Sequence, residues 1–309
     1  MIAKRVALVL AAVLLLALAA SFFVRPKPLK IEKNEYYLYA SSYPAYAVSC
    51  LITRDVPGMH LRQLTQPQYE GYSQYTLSDW EKAILEHADV MIFMGFGFEG
   101  FADYTTDKAA VITLLSLLGL QGVPENCQVL DYRRESGQNT GSPYLYMSAD
   151  GMMQLLEVMY GNMALLDPEY GSLYRENYDA ACKLMQPLQE RTKAIGVLSG
   201  KRIAVMHEAL LYTACDMKAD IALVIKRDTA QDLDEEETEL SIAAAMQNNV
   251  EVLLIEKQAD DTVKNAFRKA GITVIEIELM CDMSDEYGYQ GYIDAYERNL
   301  NAIEEAFRE

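Results

Sequence analysis

The stretch KRIAVMHEALLYTACDMKADIALVIK, residues 201–226, decides the fold of this chain. Its apolar run at 202–206 predicts a buried strand, 208–217 predicts a helix, and 221–225 predicts a second strand. Strands that alternate with helices indicate a parallel sheet covered by helices on both faces. The same alternation continues with a helix at 234–247, a strand at 251–255, a helix at 260–270, a strand at 273–277 and a final helix at 291–307.

A similar series precedes residue 200. Residues 37–41 and the stretch MHLRQL predict strands, and Pro44 opens a helix between them. The sequence Ser78-x-x-Glu81 is typical of a capping box, so a helix is expected to begin there. The stretch DVMIFMG then predicts a buried strand that ends at Gly95.

A long helical region separates the two series. Ser148 is expected to cap a helix that runs to about Leu166. Pro168 then begins a helical stretch to about Leu198, in which Pro187 is expected to produce a kink.

The fold class predicted from these elements is α/β, with two lobes of parallel sheet covered by helices and joined by one long helix. The predicted domains follow from the same pattern. They are a signal peptide or membrane anchor with its tether at 1–30, an N-terminal α/β lobe at 31–166, a connecting helix at 167–198, and a C-terminal α/β lobe at 199–309.

The N-terminus indicates export. MIAKR supplies two positive charges, and residues 6–24 then run without a charge before the RPKP stretch. This order is typical of a secretory signal or a signal anchor, and the run is long enough to span a bilayer. Cleavage could follow Ala17-Leu18-Ala19, whereas no cysteine lies nearby for a lipid anchor. We therefore expect an extracytoplasmic protein, either tethered to the cell membrane by this segment or released after cleavage.

Composition excludes several function classes. The 309 residues are 51% hydrophobic, enough for two cores, and carry a formal net charge of −18. A surface of that charge repels a phosphate backbone, so we expect no nucleic-acid partner. The five cysteines form no CxxC pair and are interpreted as mostly buried apolar thiols. No nucleophile–base pair, phosphate-binding glycine loop or metalloprotease motif occurs, so the sequence does not indicate an enzyme.

Three chemically active side chains follow strands of the second series. His207 follows IAVM, Glu256 follows VLLI and Glu278 follows VIEI. Because ligands of open α/β sheets bind beyond the carboxyl ends of the strands, all three are candidates for a binding cleft. Glu256, with Lys257 beside it, is better interpreted as an ordinary strand-end residue. For His207, a ligand role is favoured, because this edge of the sheet faces the other lobe.

The chain resembles the extracytoplasmic solute-binding proteins of zinc- and manganese-type ABC importers. The resemblance covers nearly the whole mature chain and rests on five stretches. They are YASSYPAYAV, YTLSDWEKAILEHADVMIFMGFGFEGF with its G-x-G-x-E turn, SPYLYMSADGM, VMHEALLYTA and YIDAYERNLNAIEEA. The resemblance implies a binding protein that hands a metal ion to a permease of the membrane, and we expect it to act as a monomer.

The family holds its metal with three histidines and one carboxylate, two ligands from each lobe. By the resemblance, the first histidine position falls on Gly71 and the second on Tyr144, after Pro143. The third falls on His207 and the carboxylate on Glu278. Two of the four positions therefore match the pattern and two do not.

The departures bear on which ion would bind. The remaining candidate ligands from the first lobe are Tyr144 and Glu70, which comes one residue before Gly71. Zinc prefers nitrogen and sulfur donors, whereas a set rich in oxygen suits manganese. Zinc or manganese is therefore the expected ligand. His60 and His87 are interpreted as structural or solvated residues rather than as substitutes.

Tyrosine is unusually frequent, with 21 in the chain. Several fall in predicted cleft loops, where they either line a ligand pocket or pack over the edges of the lobes. They are Tyr72, Tyr75, Tyr144, Tyr146, Tyr287 and Tyr289. Two alternatives to a metal site therefore stay open: the same scaffold remodelled for a non-metal or metal-chelate ligand, and a ligand-free interaction protein. The acidic run 232–239 is interpreted as the start of a helix, where carboxylates complement the dipole.

Overall fold

The computed structural model describes residues 35–67, 72–115, 118, 123, 127–132, 142–226 and 233–308. Contacts group Tyr36–Glu309 into one compact unit. Two sheets, all of whose strand pairs are parallel, organise this unit. The predicted α/β class with two parallel sheets is therefore confirmed.

The first sheet has the strand order β2-β1-β3-β4. Its strands are β1 Tyr36–Ala40, β2 Met59–Gln63, β3 Val90–Phe93 and β4 Ala110–Thr113. All four side chains of β3 are buried, as the apolar stretch before Gly95 predicts for a strand covered on both faces.

The second sheet has the strand order β5-β7-β6-β8-β9. Its strands are β5 Gln128–Asp131, β6 Arg202–Val205, β7 Asp220–Lys226, β8 Val252–Glu256 and β9 Thr273–Ile277. β5 belongs to the segment 31–166 yet pairs with β7, so that segment contributes strands to both sheets. The domain boundaries themselves stay a prediction.

Eight α-helices occur in the part of the chain that the structure describes. They are α1 Tyr43–Thr53, α2 Asp79–Leu85, α3 Ala149–Leu166, α4 Gly171–Ala194, α5 Leu211–Asp216, α6 Glu235–Gln247, α7 Asp261–Lys269 and α8 Gln290–Glu305. Ser78 and Glu81 form the predicted capping box of α2, and Asp234 forms a second one with Glu237 at α6. The acidic run thus begins a helix, as expected.

The long helix α4 differs in detail from its prediction. Pro168–Tyr170 forms a 3-10 turn before the α-helix begins, and the helix ends at Ala194 rather than near Leu198. Pro187 lies inside α4, which continues on both sides of it. Among the described residues no helix is long and apolar enough to cross a membrane. The predicted signal or anchor at 1–30 lies outside the described residues.

The two sheets share a hydrophobic core. One cluster of buried side chains includes Leu38 and Ile92 of the first sheet together with Val205 and Ile275 of the second. A smaller cluster lies around β8 and includes Leu253. The buried side chains of Phe98, Tyr144, Tyr146, His207 and Cys281 pack together, and the region they form, named the seam, contains the candidate site.

Candidate functional site

His207 lies just beyond the carboxyl end of β6, at the seam. Only 4% of the residue is exposed. Its imidazole caps a 3-10 turn at Glu208–Leu210: Nδ1 accepts a hydrogen bond from the backbone N–H of Ala209 at 3.0 Å. An imidazole that accepts at Nδ1 carries its proton at Nε2 when neutral. In this arrangement neither ring nitrogen presents a free lone pair to a metal ion.

Tyr144, which lies between β5 and α3, is a side chain that meets His207. The two rings lie edge to face, with centroids 5.2 Å apart and an interplanar angle of 83°. Phe98, from the G-x-G-x-E turn, packs against Tyr144 at 5.5 Å and against Tyr146 at 6.1 Å. The position predicted from the resemblance for a second metal ligand is thus part of a buried aromatic cluster that reaches the imidazole.

Tyr146 joins the aromatic cluster to the loop after β9. Its hydroxyl donates to the carbonyl of Leu279 at 3.1 Å and lies 2.7 Å from Sγ of Cys281. Burial raises the pKa of Tyr146 well above its ordinary value. Burial also raises the pKa of the Cys281 thiol to about 12. Both groups therefore stay protonated near neutral pH and act as hydrogen-bond partners rather than as anionic ligands.

Glu278, the predicted carboxylate ligand, immediately follows β9. Its two oxygens accept hydrogen bonds from Nε and Nη2 of Arg298 at 2.9 and 2.7 Å, and Oε1 also accepts from Nζ of Lys257 at 2.9 Å. The hydrogen bonds from Arg298 hold the pKa of Glu278 below its ordinary value, and Lys257 adds to this effect. A metal ion at Glu278 would compete with two cationic side chains. Its ligand role stays a prediction.

The other predicted cleft residues fall in different surroundings. Glu256 is buried at the carboxyl end of β8, and Tyr72 is fully buried. Tyr287 lies on the surface with 60% exposure. Glu70 and Gly71 lie outside the described residues. His60 and His87 are both exposed, and His60 stacks on the ring of Tyr37 with centroids 4.9 Å apart.

Glu99 fixes the first-sheet side of the site. It is buried, and its carboxylate accepts hydrogen bonds from the hydroxyl of Ser41 at 2.5 Å and from the backbone N–H groups of Met94 and Gly95 at 2.8 and 3.0 Å. Burial raises the pKa of Glu99, and these hydrogen bonds oppose that rise. The G-x-G-x-E turn is therefore fastened to the end of β1, and Phe98 is held in the cluster.

Among the described residues, no group of three or more His, Cys, Asp or Glu side chains could hold a metal ion. The potential ligands at the described part of the seam are one imidazole, one protonated thiol, several phenols and the carboxylate of Glu99, which already accepts three hydrogen bonds. The sequence pointed to His207 and to the tyrosines of the seam, but it gave no signal for the roles of Cys281 and Arg298. Both act through partners that only the tertiary structure brings close.

Two parallel sheets with a candidate site at their seam are the architecture of a two-lobed ligand-binding protein. The sequence model of the family "zinc-uptake complex component A, periplasmic" (ZnuA) matches residues 39–306. The chain belongs to this family of substrate-binding components, which is not a family of enzymes. The predicted resemblance is confirmed, and so is the general assignment to metal transport and ABC importers.

Solved structures with the same fold have low sequence identity. The SBP FpvC of Pseudomonas aeruginosa in complex with Ni²⁺ is 17% identical, with a TM-score of 0.73 over 89% of this chain and 99% of that one. A Zn(II)-bound variant of AdcAII from Streptococcus pneumoniae is 16% identical, with a TM-score of 0.71 over 90% and 100%. The metal-dependent lipoprotein YcdH of Bacillus subtilis is 16% identical, with 0.69 over 88% and 99%. No curated protein matches the sequence.

Proposed function

We propose that this chain is the extracytoplasmic substrate-binding component of a metal-ion ABC importer, with zinc or manganese as the ligand at the seam. The observation that carries the proposal is the buried imidazole of His207 at the carboxyl end of β6, in ring contact with Tyr144, a residue of the predicted N-terminal lobe. Such a position joins both lobes and excludes water, as a site that captures an ion between lobes requires.

Metal binding at this site would require a local rearrangement. His207 would have to give up its hydrogen bond from Ala209, because Nδ1 accepts it and Nε2 carries the proton. Losing one such bond costs about 1 kcal/mol. Glu70 would complete the site from the first lobe, as the sequence predicts, whereas Tyr144 would remain a poor ligand, because a phenol must lose its proton to bind an ion well. The expected result is a site that binds zinc weakly.

Two further parts of the proposal concern the cell. The uncharged run at 6–24 would hold the protein at the outer face of the membrane or be removed on export. The partner that receives the ion would be the permease of the importer, and the binding protein would act as a monomer. Support for these parts comes from the sequence and from the family membership.

A second candidate is the same scaffold with a non-metal or chelated ligand, or with none. The pairing of Glu278 with Arg298 and Lys257 favours it, since a carboxylate held by two cations attracts a metal ion weakly. The aromatic side chains that fill the seam favour it as well.

Metal titration of the full-length chain separates the candidates. Zinc and manganese are titrated against a chelating dye, with His207→Ala as the test variant and His87→Ala as the matched control, because His87 is exposed. The proposal expects saturable binding of one ion, lost in His207→Ala and kept in His87→Ala. Binding that both variants retain, or no binding by the natural chain, would reject it.

A further inference from the structure

The loop after β9, residues 279–289, is fastened by the hydroxyls of three tyrosines that come much earlier in the chain. Tyr72 donates to the carbonyl of Cys281 at 3.0 Å, and Tyr146 donates to the carbonyl of Leu279 at 3.1 Å. At the far end of the loop, Tyr43 donates to the carbonyl of Gly288 at 2.8 Å. Three phenols from three different segments thus bind one loop along its length.

Polar side chains of β2 add to this attachment. Nε2 of Gln63 donates to the carbonyl of Met283 at 3.3 Å, and its backbone N–H donates to Oδ2 of Asp285 at 3.3 Å. Arg62 forms an ion pair with the same carboxylate at 3.6 Å. The ion pair is exposed and contributes little by itself, so the buried tyrosine hydroxyls are the principal contacts.

The loop does not hold this shape by local preference. Met280 adopts a left-handed backbone with φ of 58°, which is unfavourable for a side chain of that kind, and Gly288 has φ of 57°. A backbone with such strain persists only when surrounding contacts impose it. The hydrogen bonds from Tyr72 and Tyr146 flank Met280, on Cys281 and Leu279. If these bonds were removed, the strained residue would favour opening of the loop.

The loop also borders the candidate site. Sγ of Cys281 lies 2.7 Å from the Tyr146 hydroxyl, and the Tyr146 ring lies 6.2 Å from the Tyr144 ring that contacts His207. Cys281 is fully buried. Moving the loop away would therefore uncover the tyrosine cluster and give access to the seam.

We propose that Tyr72 and Tyr146 are gating residues, whose hydroxyls hold the 279–289 loop closed over the seam. This inference rests on the proposed function only for the identity of the ligand that passes the gate, a divalent metal ion. Because these two hydroxyls hold the loop closed, the ligand enters and leaves at the rate at which their hydrogen bonds break. Two of the predicted cleft-loop tyrosines, Tyr72 and Tyr146, thus fasten the loop that follows β9.

Hydrogen exchange of the full-length chain tests the gate directly. In Tyr72→Phe and in Tyr146→Phe, we expect backbone amides of 279–289 to exchange about tenfold faster. This factor corresponds to a decrease of about 1.4 kcal/mol in the free energy of opening the loop in each variant. Tyr174→Phe is the matched control. Tyr174 is equally buried and donates to Asp167 at 2.8 Å, away from the loop. Peptides of β8 report on global unfolding.

Local acceleration in the two test variants, without change in β8 or in the control, supports the gate. Unchanged exchange of 279–289, or an equal rise in β8 that marks general destabilisation, overturns it. If either variant fails to fold, Tyr43→Phe loosens the far end of the loop and is measured in the same way.

The release of zinc into excess chelator is measured on the same variants. A dissociation rate that rises by the same factor as exchange supports the gate, and a rate that stays constant while the loop opens overturns it. A natural chain that binds no zinc would reject the proposed metal function alone, because the exchange measurement still decides whether Tyr72 and Tyr146 hold the loop.

Discussion

Replacing Tyr144 by histidine tests whether the seam retains the geometry of a metal site. Two imidazoles bound to one tetrahedral zinc ion, with Zn–N of about 2.1 Å, have ring centres roughly 5 Å apart. The rings of Tyr144 and His207 are 5.2 Å apart. An imidazole in place of the phenol would therefore lie close to the required separation from His207.

The expected gain in affinity follows from the ligand count. A structural zinc site with four ligands is worth about 12 kcal/mol, or about 3 kcal/mol per ligand. Tyr144→His should therefore lower the zinc dissociation constant by about 100-fold. The combination with Gly71→His should lower it by several orders of magnitude. The apo protein should unfold at a lower temperature, because the smaller ring loses contacts with Phe98 and Tyr146.

Competition titration against a chelating dye measures the change, with two controls. Tyr36→His adds an imidazole at the opposite, amino-terminal end of β1 and should leave the affinity unchanged. Tyr144→Phe removes only the hydroxyl and should also leave it unchanged, because a phenol with a pKa near 10 is a poor ligand at neutral pH. An affinity of Tyr144→His within threefold of the natural chain would refute the reasoning. Nanomolar zinc binding before any substitution would show that other residues complete the site.

Three further predictions concern stability and location. Glu278→Gln should lower stability by about 1 kcal/mol at neutral pH; because Arg298 lowers the pKa of Glu278, this contribution is present above the ordinary carboxyl pKa of 4.5 and lost as the pH falls through the lower folded-state value. The melting temperatures of Glu278→Gln and the natural chain, compared from pH 7 to pH 3, should therefore converge in acid. Ser78→Ala should cost about 1 kcal/mol in chemical denaturation, since it removes the capping box of α2. The protein should fractionate with membranes through residues 6–24, and a soluble mature form beginning at Ala20 or Ser21 would refute the anchor but not export.

The strands and helices after Gly200 were predictable because their apolar runs are bounded by clear polar stretches. β8 and β9 were placed within a residue of their bounds. By contrast, β4 and β5 were missed. Each has four residues, and the side chains of β5 are only half-buried or exposed, so no apolar run marks it. Membership of β5 in the second sheet depends on pairing with β7, a contact between distant parts of the chain.

The site was predictable only in part, for a related reason. The position of His207 at the carboxyl end of β6 follows from strand order, and the structure buries it there. The pairing of Glu278 cannot be predicted from its neighbours in the sequence, because its partner Arg298 belongs to α8, which follows the loop after β9. Whether a strand-end carboxylate faces a cleft or a helix is decided by tertiary packing, which a local pattern does not contain.

A tyrosine at the seam favours closure of the loop but disfavours metal binding. A phenol is a strong hydrogen-bond donor while protonated, and burial keeps Tyr146 protonated by raising its pKa. The same protonation makes it a weak metal ligand. An imidazole at such a position would bind an ion and let the ion join the lobes, whereas a phenol joins them directly through a carbonyl, as Tyr146 does with Leu279. Closure of the loop and weak metal binding therefore both follow from phenols at the seam: Tyr146 holds the loop, and Tyr144 occupies the predicted second ligand position.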